Sequence, residues 1–171
     1  MATRIPDFSD TERDIVALLV ERRFAKPIEI LEADSDLRLD PTSDEMASCP
    51  TLYWTERGAH FVVFKVGDGQ FRCQFFYTDA DHYGTGRDQY ADLDACVSTL
   101  LQVQADHERD SAECDQGRQL GFDGKTLIHP NQIGPCNDAF SPGADEVAQA
   151  RKMIAAFDLP ENRDKGVVAI D

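Results

Sequence analysis

The chain has 171 residues, enough for one well-filled core or for one domain of ~100 residues with an appendage. Its composition, 42% hydrophobic and 29% charged, is that of a soluble globular protein, and no apolar run approaches the ~18–20 residues that span a bilayer. A formal net charge of −15 argues against nucleic acid as a partner, because phosphate affinity comes from clustered Lys and Arg.

The start, MATRIPDFSDTERD, has no apolar h-region. No secretory signal and no membrane contact are expected, and a cytoplasmic location is the default. The acidic surface reads first as solubilising. A DNA mimic, or a module that docks on a basic partner, is the sharper alternative. The five cysteines, Cys49, Cys73, Cys96, Cys114 and Cys136, show no CxxC spacing. That spacing gives no zinc signature, and the odd count favours reduced, structural thiols over a disulfide framework.

Residues 9–24 predict a first helix. Ser9 and Glu12 fit a capping box, Ile15, Leu18, Leu19 and Phe24 recur near helical spacing, and Pro27 closes the run. Ile28, Ile30, Leu37 and Leu39 alternate with charged neighbours and suggest one or two short strands. The acidic Glu32, Asp34, Asp36 and Asp40 mark that stretch as a sheet edge. Residues 40–50 read as a loop. A three-stranded meander then follows: LYWTE (52–56), a turn at Arg57-Gly58, AHFVVFKV (59–66), a turn at Gly67-Asp68-Gly69, and QFRCQFFYT (70–78). Aromatic and β-branched residues dominate these arms, with Phe64 and Phe75 as core anchors. Trp54, Phe61, Phe75, Phe76 and Tyr77 lie in acidic surroundings, so they read as core rather than as a base-stacking platform. One exposed aromatic face used for dimerisation is the alternative.

The polar loop 79–87 precedes a helix predicted over 88–109, with Leu93, Cys96, Val97, Leu100 and Val103 on one face. A glycine-rich loop before a helix can cradle an anion, which makes Gly84, Gly86 and Arg87 candidate anion ligands. The loop lacks the GxxxxGK[ST] pattern, and Asp88 and Asp92 compete for the same positive helix end, so a purely structural loop is the better reading. Asp79, Asp81 and His82 have no EF-hand spacing. Residues 1–110 thus read as an α+β domain, an antiparallel sheet of three to five strands covered by two helices.

Residues 111–171 read as a helix-strand-helix appendage. The long helix runs on through 111–119 or breaks near Asp110-Ser111, with Gly121 as a natural C′ residue. KTLI (125–128) predicts a short strand, and 131–139 a short helix. A last helix over 142–157 takes Ser141 as N-cap and Pro142 at N1, with Val147, Ala150, Ile154 and Phe157 inward. Leu159-Pro160 stops it, and GVVAI (166–170) is a last strand or a frayed end.

The segment AECDQGRQLGFDGKTLIHPNQIGPCNDAFSPGADEVAQARKMIAAFDLPENRDKGVVAID (112–171) resembles the C-terminal end of the citrate lyase beta subunit and malyl-CoA lyase family, within the HpcH/HpaI aldolase superfamily. GFDGKTLIHP, Gln132, Phe140-Ser141-Pro142 and the ARK-type helix occur in the family's order and spacing. The resemblance implies a (β/α)8 barrel that makes or breaks carbon–carbon bonds on acyl thioesters with a divalent metal. A complete barrel needs roughly 200 residues or more, so only its last strand and helix are expected here. Lys125, His129 and Gln132 match the turn after that strand and are the candidate ligand-binding residues. The family's metal-binding Glu and Asp and its substrate Arg lie upstream of the matched segment. Residues 1–111 offer no counterpart, so no catalytic residue or metal ligand is carried over. The family's lid lies past the GVVAID stretch, and Asp171 is not read as its acid.

Three expectations follow. The first is a non-catalytic α+β domain joined to a lyase remnant, with a homo-oligomer or a protein partner contacted through the C-terminal arm. No cofactor belongs to it. The second is a lyase component active only with other chains, for which magnesium and a coenzyme A thioester would be required. The third is the acidic interaction module.

Overall fold

A computed structural model describes residues 5–162 and 166–167. It divides into two compact units, residues 1–106 and 107–171. The α+β reading holds: among the described residues, five antiparallel strands in one open meander stand with four helices.

In the first unit, α1 (Asp10–Phe24) starts on the predicted capping box. Ser9 Oγ accepts from the Glu12 amide, and Glu12 Oε2 accepts from the Ser9 amide at 2.7 Å. The helix ends one residue on, at Ala25 in the left-handed region. Its buried stripe is Val16, Val20 and Phe24. Ile15 and Leu19 are only partly buried, and Leu18 faces solvent. A 3.6-residue period selects 16, 20 and 24 as the line that stays under the helix.

Strand β1 (Leu31–Leu37) is a single acidic edge strand; Ile28 and Ile30 pack on the core but precede it. Strand β2 (Ala47–Glu56) begins inside the stretch expected to be a loop. Pro50 pairs with Asp34 but lies beyond Thr51↔Phe64, the last β2–β3 pair. On that side no ladder needs its missing N–H. Arg57 and Gly58 both take positive φ, as a tight two-residue hairpin turn requires. β3 (Ala59–Gly67), β4 (Gln70–Phe76) and the short β5 (His82–Gly84) complete the sheet. β5 falls within the predicted polar loop. Its three residues read as strand only through their pairing with Gln74, Phe75 and Phe76. Helix α2 (Leu93–Gln119) starts five residues later than expected and continues without a break at Asp110-Ser111.

Alternation places Leu52, Trp54, Phe61, Val63, Phe71 and Phe75 on one sheet face. There they form the main core with Val16, Val20 and Phe24 of α1 and Leu93, Cys96, Val97 and Leu100 of α2. Phe75 is therefore a core anchor. Phe64 is also buried, but on the other face, in a second cluster with Cys49, Val62 and Val66. Ile5, Leu37 and Leu39 pack over that cluster. Aromatic ladders cross both faces. On the core face Trp54 stacks on Phe61 at 5.3 Å, Phe61 meets Phe75 at 6.3 Å, and Phe75 stacks on Tyr83 at 5.1 Å. On the opposite face Tyr53, His60, Phe76 and His82 follow one another at 6.0, 4.9 and 5.1 Å.

Lys65 is buried among the residues of the core face. Its ammonium donates to both Glu12 carboxylate oxygens, at 2.9 and 2.7 Å, and to the Asp7 carbonyl at 3.1 Å. Burial pushes the Glu12 carboxyl up. Hydrogen bonds from Lys65 and Ser9, with the Lys65 charge, outweigh burial and hold it below its ordinary value.

In the second unit, α2 closes on Gly121 at φ +88°. The Gly121 amide donates to Arg118 O and the Phe122 amide to Gly117 O, a Schellman closure. KTLI is not a strand: residues 122–127 are irregular. An isolated extended segment has no partner for its amides, and the described residues of this unit contain no strand to pair with it. A 3-10 turn (Pro130–Gln132) leads into α3 (Ile133–Phe140) and α4 (Ala144–Asp158). Ser141 caps the end of α3 rather than the start of α4, and Gly143 is the N-cap. Its amide donates to Glu146 at 2.8 Å. Residues 168–170 of the expected last strand lie outside the described residues.

The buried Lys65–Glu12 pair yields a test. Glu12→Ala strands a buried ammonium and removes the helix cap, and is expected to cost about 3–5 kcal/mol in urea unfolding. Arg13→Ala, whose carboxylate partners Asp10 and Glu32 are exposed, should leave the midpoint nearly unchanged. Because Glu12 is depressed when folded, its contribution is present above the ordinary carboxylate range and is lost as pH falls through the folded value. Glu12→Ala should flatten that acid limb.

Candidate functional site

Two places collect the candidate side chains, one in each unit. In the second unit Asp110 is buried near the C-terminal half of α2. Gln132 Nε2 donates to Asp110 Oδ1 at 3.3 Å. Gln132 Oε1 accepts from the amides of Ile128 and His129 at 3.1 and 3.3 Å. His129 Nδ1 accepts from the Asn131 amide at 3.2 Å. Lys125 Nζ reaches Glu113 at 2.7 Å and Asp110 at 4.0 Å.

All three residues expected from the sequence are thus tied into one network of short-range bonds. Gln132 and His129 hold the 128–132 turn, and Lys125 fastens the irregular stretch to α2. The hydrogen bond and charge of Glu113 raise the Lys125 ammonium, and Lys125 lowers Glu113 in return. A general acid or base needs a free lone pair or proton aimed at substrate. Here the Asn131 amide occupies His129 Nδ1, and Glu113 engages Lys125.

Beside this network lies His107. Burial pushes its imidazole down, while the charges of Asp138, Asp110 and Glu108 oppose that fall. Among the described residues no three of His, Cys, Asp and Glu are grouped to hold a metal ion. The carboxylates nearest the family turn, Asp110 and Glu113, point at Lys125, so this donor set does not fit a divalent cation.

The second place is a groove of about 480 Å³ on the sheet face away from α1 and α2. Leu37, Leu39, Pro41 and Phe64 line it together with Arg72, Gln74, Gly84 and Arg87. Gly84 and Arg87 come from the predicted anion loop. Gly86 does not line the groove; its φ of +76° turns the backbone. Tyr90 fixes this wall. Its backbone exchanges two hydrogen bonds with Phe71, and its hydroxyl donates to Thr85 at 2.7 Å.

Arg72 was not singled out by sequence reasoning, although the alternation of β4 puts it in phase with Gln74 and Phe76 and out of phase with the core anchor Phe75. That is the signal that would have found it.

No known family profile matches this chain. No solved structure matches it either. Curated proteins do match part of it. The (3S)-malyl-CoA thioesterase of Cereibacter sphaeroides is 50% identical over 75 residues, 44% of this chain and 26% of that protein. The citrate lyase subunit beta of Leuconostoc mesenteroides subsp. cremoris is 34% identical over 77 residues, 45% of this chain and 26% of the relative. The mitochondrial citramalyl-CoA lyase of Homo sapiens is 41% identical over 51 residues, 30% of this chain and 15% of the relative.

The kinship is partial. About 44% of this chain is homologous to malyl-CoA thioesterase and the citrate lyase beta subunit, and 30% to citramalyl-CoA lyase. This bears out the resemblance to the HpcH/HpaI family over part of the chain. The chain spans about a quarter of the length of the first of these relatives. The described residues contain no helix long and apolar enough to cross a membrane.

The polar network carries two tests. His107 is held below the ordinary imidazole value, so the unfolded chain takes up a proton first as pH falls through about 6.5. Stability of the second unit should fall with acidification there, and His107→Leu should remove that slope in pH-dependent melting. Gln132→Ala should free the Ile128 and His129 amides, seen as lost hydrogen-exchange protection, at a cost of about 0.5–1.5 kcal/mol.

Proposed function

We propose that this chain is a non-catalytic binding protein in which the lyase-like segment serves as a contact arm for a second copy of the chain. The observation that carries this reading is α4. None of its described residues is buried. Ile154 is 61% exposed, Met153 and Phe157 are also exposed, and Val147 is half-buried at best. These include the residues whose periodicity calls for an inward face. Leu120, Phe122, Ile128 and Leu159 add to the exposed apolar side chains of this unit. Met153, Ile154 and Phe157 are neighbours at i, i+3 and i, i+4 on α4, and exposed apolar patches mark interaction surfaces. In the first of these relatives the homologous segment makes up 26% of the chain.

The absence of chemistry in this reading rests on the polar network. Lys125, His129 and Gln132 are engaged with Glu113, Asn131 and Asp110, and no metal-holding group stands near them among the described residues.

A second reading has one observation in its favour. At 50% identity to a malyl-CoA thioesterase over 75 residues, the segment is similar enough to complete an acyl-CoA lyase whose remaining elements come from another chain. Magnesium and a coenzyme A thioester would belong to that reading alone.

Sedimentation separates the contact arm from an inert tail. The intact chain is expected to associate with concentration, and an Ile154→Glu, Phe157→Glu double variant to remain a monomer with an unchanged helix signal. A monomeric wild type, or association that persists in the double variant, would overturn the proposal.

A further inference from the structure

We propose that the groove on the outer sheet face is a binding site for a small oxyanion carried on an apolar body, a phosphate ester or a carboxylate. This inference rests on the first unit alone and is independent of the lyase kinship.

The groove has two unlike walls. Leu37, Leu39, Pro41 and Phe64 make an apolar wall, and Arg72, Gln74, Gly84 and Arg87 make a polar one. Its volume of about 480 Å³ lies within the range of small-molecule sites. The chain carries 32 acidic against 17 basic residues, so an arginine here has an ample choice of carboxylate partners. Arg38, at the rim, takes Asp44 at 3.2 Å.

Arg72 behaves differently. Its Nε is shielded from solvent and hydrogen-bonds to nothing, although it is an obligatory donor on a planar fork. Arg87 lies over the Tyr90 ring at 5.1 Å, an arrangement that fixes a guanidinium plane and leaves its edge donors available. Asp88 also lines the groove and is the one carboxylate to do so. It is exposed and sets a penalty on anions that approach from its side. Two guanidinium forks and an amide side chain in one groove suit a phosphate or carboxylate. The facing apolar wall favours a ligand whose other end is hydrocarbon.

The loop supports the same assignment. Tyr90 clamps residues 85–90 to β4 through its backbone bonds to Phe71 and its hydroxyl bond to Thr85. The polar wall is therefore fixed in advance, which lowers the ordering cost of binding.

The test titrates the full chain with phenyl phosphate, benzoate, inorganic phosphate and phenol, read by NMR at the Arg72 Nε–H and the Gly84 and Leu39 amides. Phenyl phosphate or benzoate should bind saturably at those signals, more tightly than inorganic phosphate, and phenol should not bind. The better of the two identifies the head group. Arg72→Gln and Arg87→Gln should each weaken binding about ten- to hundredfold. Arg87 is exposed, so its variant keeps the test valid if Arg72→Gln does not fold. Absence of saturable binding, shifts spread over the whole surface, or affinity unchanged in a folded arginine variant would overturn the proposal. Equal binding of phenol would do the same.

Discussion

Strand β3 carries the constraint on which the first unit depends: it is apolar on both faces. Ala59, Phe61 and Val63 enter the core under α1 and α2, while Val62, Phe64 and Val66 enter the outer cluster. A strand of this kind cannot sit at an edge, and β2 and β4 flank it in the meander. A one-residue slip would exchange the two sets and carry Lys65 from the Glu12 carboxylate to the outer face. The Lys65–Glu12 bond is therefore a register pin as well as an ion pair. It ties the central strand to the first turn of α1 through the same carboxylate that caps the helix. The outer groove is a consequence of this arrangement. The chain leaving β1 brings Leu37 and Leu39 over the outer cluster, and the 84–90 loop supplies the opposite wall.

The second unit follows a different logic. Its buried cluster is small, made of Cys114, Cys136 and Ala139 with Leu127 and Phe140 against them. Polar bonds contribute much of its local order. Arg118 donates to the Ala139 carbonyl and to both oxygens of Glu146, which also binds the Gly143 amide. Lys125, His129 and Gln132 do equivalent work around Asp110 and the 128–132 turn.

Much of the first unit was legible because its signals are local. The Ser9–Glu12 box, the Arg57-Gly58 turn and the alternation around Phe61 and Phe75 each depend on neighbours a few residues apart. The features that escaped depend on partners distant in the chain. His82–Gly84 is strand only beside Phe75, and Ala47–Pro50 only beside β1. KTLI illustrates the converse: its composition favours a strand, but no strand lies beside it among the described residues of its unit. The apolar period of α4 was legible, but the inference that it faces inward was not sound, since periodicity specifies a face and not what covers it. At the candidate sites, Gly84 and Arg87 were legible from the loop, whereas Arg72 joins them only through strand pairing.

The central claim is that the lyase-like segment has been kept as structure rather than as an active centre. Turnover tests it most directly: the intact chain incubated with magnesium and malyl-CoA, monitored for release of free coenzyme A and for carbon–carbon cleavage products. The account predicts no rate above the protein-free background, with and without added lyase-family chains of the citrate lyase beta type. A rate that requires this chain and disappears in Lys125→Ala would contradict it.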